Sequence, residues 1–245
     1  YKSQIRHWND DQLDEVEAAF GLPPRTIITV AFSPELGPEA ITGRLTYREW
    51  MDAIRRRVLD DHGEGVAGAL DEWEANVGLV DTEMVGVLRS VRSHATVALL
   101  SNGTTRLRRD LHVLDLLDEF DVVVNTAELG IAKPDPGVFR LVCSRLDVDP
   151  GDTLFVDDLA ENVAGATAAG LRAHRHLDLG PVAAPFLDVS TKGQDALIRE
   201  NFSSAASFIR AAAPHLGTGS AIVNVTSIEA RRSISPSVTP AGGSL

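Results

Sequence analysis

The stretch "GDTLFVDDLAENVAGATAAG", residues 151–170, decides the fold. An apolar run, Thr153-Leu154-Phe155-Val156, ends without transition in two adjacent acids, Asp157 and Asp158, and a small-residue helical pattern follows. Strand, polar turn and helix in that order make the repeating unit of a parallel α/β sheet. Two carboxylates at a strand end must be hydrated, paired or bound to a cation. Which of these applies depends on what the rest of the chain brings to the same end.

Working outward, the same rhythm covers residues 96–176. "TVALL" (96–100), "DVVVN" (121–125), "TLFV" (153–156) and "LRAHR" (171–175) are short β-rich runs, separated by helical stretches at 105–117, 136–146 and 160–169. In the helix after Lys133-Pro134, Asp135 is the expected N-cap and Pro136 the expected first residue. Residues 4–95 read mainly as helices. Ile5, Trp8, Leu13, Val16 and Phe20 fit a loosely amphipathic start that Gly21-Leu22-Pro23-Pro24 ends. Thr46-Tyr47-Arg48-Glu49 has capping-box spacing, and Tyr47, Trp50, Met51, Ile54 and Val58 share one helical face beyond it. Another such face runs through Met84, Val87, Leu88 and Val91. Trp8, Trp50 and Trp73 are read as packing residues.

The last quarter differs. Residues 194–213 read as a long Ala-rich helix, 221–226 as one buried strand, and 229–245 ("ARRSISPSVTPAGGSL" from Ala230) as a disordered Ser, Pro and Gly tail. The division expected is therefore a helical region at 1–95, an α/β core at 96–177, an appendage at 178–228 and a tail at 229–245.

Bulk composition narrows the function. A net charge of −12 argues against nucleic acid and anionic membrane surfaces as partners, since both are polyanions. It leaves room for a small phosphorylated molecule in a local positive pocket. Cys143 is the only cysteine, which excludes an intrachain disulfide and a thiolate metal cage and fits a reducing, cytoplasmic setting. No apolar run reaches membrane-spanning length.

In open parallel sheets, ligands bind beyond the carboxyl ends of the strands. Ser101-Asn102-Gly103-Thr104 follows "TVALL", Lys133 lies in the loop after "DVVVN", and Asp157-Asp158 follow "TLFV". A hydroxyl with nearby backbone N–H groups, an ammonium and a carboxylate pair are what is needed to hold phosphate and Mg²⁺ together. Singly, each is read as a turn, a helix start or a solvated loop. Their common placement at strand ends, in this order, favours a site.

These motifs resemble those of the haloacid dehalogenase superfamily of hydrolases. "LLSNGT" is similar to its second motif, "GIAKPDPGVF" to its third and "LFVDDLAENVAGATAAG" to its fourth, and the helical segment before them resembles its cap domain. The adjacent acids look like the phosphatase branch, including the phosphatase-like half of bifunctional epoxide hydrolases. True dehalogenases, which bind no Mg²⁺, tend to carry Ser-Asn types there. The resemblance implies a Rossmann-like parallel sheet with a helical cap, and hydrolysis of a small phosphate ester through an aspartyl-phosphate. It implies that Ser101 bonds a transferring oxygen near the Asn102 and Gly103 backbone, and that Lys133 offsets charge on the nucleophile and phosphoryl group. Asp158 would hold Mg²⁺ directly and Asp157 directly or through water, with Glu161 and Asn162 orienting them. Glu161 is equally well read as favourable first-turn helix charge.

The attacking group of that family is the first Asp of an Asp-x-Asp ending a strand before the cap, whereas this chain opens "YKSQIRHW". The nucleophile is therefore expected to be missing, together with a central strand. Asp147-Val148-Asp149 is read as a turn at the wrong end of strand 153–156. Residues 183–230 resemble the middle of a short-chain dehydrogenase/reductase, with Asn201 and Ser227 at catalytic positions but no Gly-rich dinucleotide turn and no Tyr-x-x-x-Lys. An active reductase is not expected. Two partial resemblances read as a fragment, a gene fusion, or an assembly or frameshift artefact, joined within 177–192. Two alternatives stand beside the phosphatase: a non-catalytic phosphate- or Mg²⁺-binding protein, and an oxidoreductase remnant. The apolar strand 221–226 is expected to fill the gap in the sheet, paired with 96–100 or 153–156.

Overall fold

The computed structural model describes residues 5–8, 10–175 and 221–224. The predicted helix at 194–213, the tail at 229–245, Asn201 and Ser227 lie outside the described residues.

The chain enters through a two-residue strand β1 (Arg6–His7), which pairs antiparallel with β2 (Leu79–Val80). Residues 5–8 are thus extended, not the first turn of an amphipathic helix. The spacing of Ile5 and Trp8 matches a helical period, but a partner more than seventy positions along the chain decides the conformation, with Arg6 opposite Val80. Between the two strands lie five helices: α1 (Asp10–Ala19), α2 (Thr26–Ala31), α3 (Gly37–Ile41), α4 (Tyr47–His62) and α5 (Ala67–Ala75).

These helices bury their own cluster, including Leu22, Ile27, Trp50, Met51, Ile54, Val58 and Leu70. Trp50 stands at its centre, 5.6 Å from the Phe32 ring, 6.0 Å from Tyr47 and 5.7 Å from Trp73, all tilted. Its indole N–H, which must find a partner once buried, donates to the Ala31 carbonyl at 2.9 Å. The capping box at α4 forms as the sequence requires: the Thr46 hydroxyl accepts from the Glu49 amide, and the Glu49 carboxylate accepts from the Thr46 amide at 2.8 Å. Buried Glu17 closes the start of α2 by accepting the Ile27 amide at 2.8 Å.

Helix α6 (Thr82–Val91) follows, N-capped by Asp81. Although it falls within the region 1–95 by sequence, its Met84, Val87, Leu88 and Val91 pack with Val97, Leu99, Leu107 and Val156 in the cluster under the sheet. It is a covering helix of the core rather than part of the cap. The core then alternates as its pattern demands: β3 (Thr96–Ser101), α7 (Leu107–Val113), β4 (Val122–Asn125), α8 (Thr126–Leu129), α9 (Pro136–Leu146), β5 (Thr153–Asp157), α10 (Ala160–Ala168) and β6 (Arg172–Arg175). The helix predicted over 105–117 is shorter, because Asp115 turns to a φ of 53° and a 3-10 turn follows at Leu117–Glu119. Asp135 and Pro136 take their predicted cap and first positions.

The strand β7 (Ala221–Asn224) completes the sheet, whose order is β4-β3-β7-β5-β6. It runs parallel to both neighbours, with Ala221 opposite Thr96 and Thr153, and Asn224 opposite Leu99 and Val156. The expected filling of the gap by this segment is therefore borne out on both sides. Without it, β4-β3 and β5-β6 would be separate two-stranded pieces, too small to persist alone. Two apolar layers flank the sheet: one under α6 and α7, the other under α9 and α10 with Phe139 and Phe155 edge to face at 4.9 Å. No helix among the described residues is long and apolar enough to cross a membrane.

Candidate active site

The site begins where β3 and β5 end. Ser101 is the last residue of β3 and is fully buried. Asp157 is the last residue of β5 and is 3% exposed. Between them runs β7, so the two strand ends stand two interstrand spacings apart, roughly 9–10 Å. Lys133 spans that gap. Its Nζ donates to the Leu100 carbonyl on the β3 side at 3.2 Å and to Asp157 Oδ2 on the β5 side at 3.1 Å. Neither side chain of this ion pair is exposed at all.

A buried ion pair holds only if its remaining hydrogen-bonding capacity is met. Asp157 satisfies this fully: Oδ1 accepts the Leu159 amide at 2.8 Å, and Oδ2 also accepts Asn162 Nδ2 at 2.8 Å. The backbone of Lys133 is fixed as tightly. Asn102 Nδ2 donates to the Lys133 carbonyl at 3.0 Å while the Lys133 amide donates to Asn102 Oδ1 at 2.9 Å. Helix α10 presses on the same loop through Gly165, where a Cβ would lie 2.0 Å from the Pro134 carbonyl oxygen. Only glycine permits that approach.

Asp158 differs from its neighbour. Burial, and then the negative charge of Asp157, push its carboxyl up to about 6. Its backbone carbonyl accepts Arg175 Nε at 3.1 Å.

A protein-family model for haloacid dehalogenase-like hydrolases matches residues 4–170. The chain belongs to that family. Among curated proteins it is 37% identical over 95 residues to (S)-2-haloacid dehalogenase 1 of a Pseudomonas species, covering 38% of this chain and 42% of that one. It is 32% identical over 120 residues to a phosphatase of Mycobacterium tuberculosis, covering 48% and 50%. The chain thus spans half or less of the length of these relatives. Among solved structures, a haloacid dehalogenase family enzyme of Bacteroides thetaiotaomicron in complex with magnesium and inorganic phosphate superposes with a TM-score of 0.56. It is 20% identical and covers 73% of this chain and 92% of that one. That likeness shows the fold.

In this member of the haloacid dehalogenase-like hydrolase family, then, Ser101, Asn102, Lys133, Asp157, Asp158 and Asn162 converge at one edge of the sheet. Glu161 does not join them: it is exposed in the first turn of α10. The side chain of Asn102 is spent on the Lys133 loop, an arrangement that spacing alone does not reveal. Gly103 sits in a close fit, its Cβ position 2.9 Å from Asn125 Oδ1.

Asn125 was not singled out by sequence. It ends β4, is 1% exposed, donates from Nδ2 to the Thr104 carbonyl at 2.8 Å and caps α8 through the Ala127 amide. The available signal was a polar residue closing the apolar run "VVVN". Asp147 and Asp149 lie at the opposite edge: Asp147 ends α9 and Asp149 caps the turn before β5. The turn reading of that Asp-x-Asp agrees with the structure.

Mg²⁺ can be tested against these residues. Among the described residues no three His, Cys, Asp or Glu side chains form a preformed cage. Mg²⁺ requires less, one or two carboxylates with substrate oxygens and water. Asp158 fits that need, because a carboxylate penalised by burial beside another acid is one a cation would relieve. Asp157, already bonded on both oxygens, stands behind it.

Proposed function

We propose that this hydrolase is of the phosphatase type, acting on a small phosphate ester with Mg²⁺ as cofactor. The observation that carries the reading is the Asp157–Asp158 pair beside a fully buried Lys133 that bridges two strand ends. Asp158, with Asp157 behind it, would hold the metal, which when bound offsets negative charge on a phosphoryl group. Ser101 supports a phosphoryl oxygen from the β3 side. Lys133 supplies a fixed positive charge whose position is set by Asn102, Asp157 and the Leu100 carbonyl. The partner this implies is a small phosphorylated molecule rather than nucleic acid or membrane, in keeping with a net charge of −12.

Covalent turnover also needs an attacking carboxylate on the strand between β3 and β5. In the described structure β7 takes that place, and its described residues, Ala221–Asn224, carry no carboxylate. This favours a second reading, in which the chain binds phosphate and Mg²⁺ without turning an ester over.

The test combines calorimetry with inorganic phosphate and Mg²⁺ and an assay on p-nitrophenyl phosphate. Turnover abolished by Asp158→Ala and by Lys133→Ala supports the phosphatase. Mg²⁺-dependent binding without turnover supports the binding protein. Metal-independent turnover of a 2-haloacid, with no phosphate binding, would sink both.

A further inference from the structure

The cap is joined to the core by two chain crossings, by the Thr105 and Thr126 hydroxyls and, most extensively, by one charged side chain. The crossings are the paired strands β1 and β2. That charged side chain is Arg106, five residues beyond Ser101 on the loop that leaves β3. Its Nη1 donates to the Tyr47 hydroxyl at the start of α4 and, at 2.9 Å, to the Glu74 carbonyl. Its Nη2 reaches the Asn76 carbonyl at 3.5 Å, and its guanidinium carbon stands 4.3 Å from the centre of the Tyr47 ring. Glu74 and Asn76 close α5, where carbonyls left without helical partners favour a cation.

From behind, Arg106 is held by the core. Its Nε lies 3.0 Å from Asp110 Oδ1 and 3.1 Å from Oδ2, one turn along on α7. Asp110 in turn pairs at 3.1 Å with Arg6 of β1, whose guanidinium carbon lies 4.2 Å from the centre of the Trp8 ring. The end of α5 and the first residue of α4 therefore meet the Arg106 guanidinium directly, and the entering strand reaches it through Asp110. Burial pushes the Tyr47 phenol up to about 12, so its oxygen remains a neutral acceptor at ordinary pH.

We propose that Arg106 is a positioning residue that couples the placement of the cap to the loop 101–105. The segment between has no slack. Asn102 is locked to Lys133, the Thr104 carbonyl to Asn125, and Thr105 Oγ1 accepts the Tyr47 amide at 2.8 Å. A shift of this loop toward a bound anion is passed to α4 and to the end of α5 through Thr105 and Arg106. Lysine cannot reproduce the fork, because a point ammonium lacks the planar set of donors that reaches Asp110, Tyr47 and two carbonyls at once. The proposal rests on the phosphate-site reading for its ligand, and on the joint itself for everything else.

Hydrogen exchange on the full chain, with and without Mg²⁺ and inorganic phosphate, tests it. In the wild type, phosphate should slow exchange across residues 47–51 and 74–80 by roughly five-fold or more, the scale of an ordinary coupling between sites. In Arg106→Met those amides should exchange faster and respond to phosphate much less, with Thr105 remaining as the loop's link. The amides of β3 and β4 should stay protected, and calorimetry should still show binding. Arg106→Lys should restore part of the response, and Tyr47→Phe, which removes one hydroxyl, should fall between. A phosphate response in Arg106→Met equal to that of the wild type overturns the proposal. So does parallel loss of protection in β3 and β4, which marks a merely structural role. If phosphate does not bind the wild type, the reading of the site fails. The anion-free proteins then decide the joint alone, and equal exchange across 47–51 in wild type and Arg106→Met refutes it.

Discussion

Lys133–Asp157 and Arg6–Asp110–Arg106 are both buried ion clusters, but they are closed in opposite ways. The first is a single pair with no exposure on either side chain, and its other bonds go to the nearby backbone and to Asn162. The second sets two guanidiniums against one carboxylate, keeps side-chain exposures of 4–10%, and spends the spare donors of Arg106 on the cap. The first fixes one charge at one point of the sheet edge. The second joins two bodies. The comparison teaches that burial of charge has two uses here, precision and attachment, and each use has its own weak point.

Both clusters depend on the sheet, and the sheet depends on β7. The largest effect is therefore expected from a chain ended at residue 176. Losing the central strand leaves β4-β3 and β5-β6 unjoined, so urea unfolding followed by near-UV circular dichroism should lose its cooperative transition. A sharp transition in the shortened chain would show that the two halves of the sheet can close on each other.

Next in size are the two carboxylates, each the counter-charge of a buried cation. Asp157→Ala removes the carboxylate paired with the fully buried Lys133 ammonium, a loss of about 3–5 kcal/mol. Asp110→Ala leaves Arg106 with Tyr47 and two carbonyls but strips the buried Arg6 guanidinium of its carboxylate, a loss of the same order, about 3–5 kcal/mol. Urea midpoints for the two variants give the order. If Asp110→Ala proved the costlier, attachment of the cap rather than precision at the site would dominate stability.

The two clusters also differ in how far the sequence reveals them. Ser101, Lys133, Asp157 and Asp158 each end or follow a short apolar run, so local pattern alone places them at one edge of a parallel sheet. Thr46, Asp135 and Pro136 were equally legible, because a cap involves residues only two or three apart. Arg6 and Asp110 are 104 positions apart, and no periodicity links them. For the same reason residues 5–8 read as helical: the partner that makes them a strand, Leu79–Val80, is remote. The pairing of Asn102 with the Lys133 backbone lay beyond local pattern too, since Ser-Asn-Gly after a strand reads as a turn. The central place of 221–226 could be inferred from a different kind of argument, an apolar strand that needs a sheet and a sheet that needs a strand.

The smallest expected effects come from two glycines that the structure distinguishes and the sequence does not. Both lie inside helices, where alanine is preferred by about 0.5–1 kcal/mol on backbone grounds. Gly86 on α6 has nothing within 4 Å of a built Cβ, so Gly86→Ala should gain up to that amount. Gly165 on α10 would place its Cβ 2.0 Å from the Pro134 oxygen and 3.0 Å from the Phe139 ring. Gly165→Ala must push α10 away from the Lys133 loop, and overpacking of this kind costs about 1–3 kcal/mol. The sign of the two changes should therefore be opposite in urea unfolding. Because the displaced loop carries Lys133, Gly165→Ala should also weaken Mg²⁺-dependent phosphate binding, while Gly86→Ala leaves it unchanged. Equal and favourable effects from both would mean that α10 can move without disturbing the loop, and that the position of Lys133 is set by Asn102 and Asp157 alone.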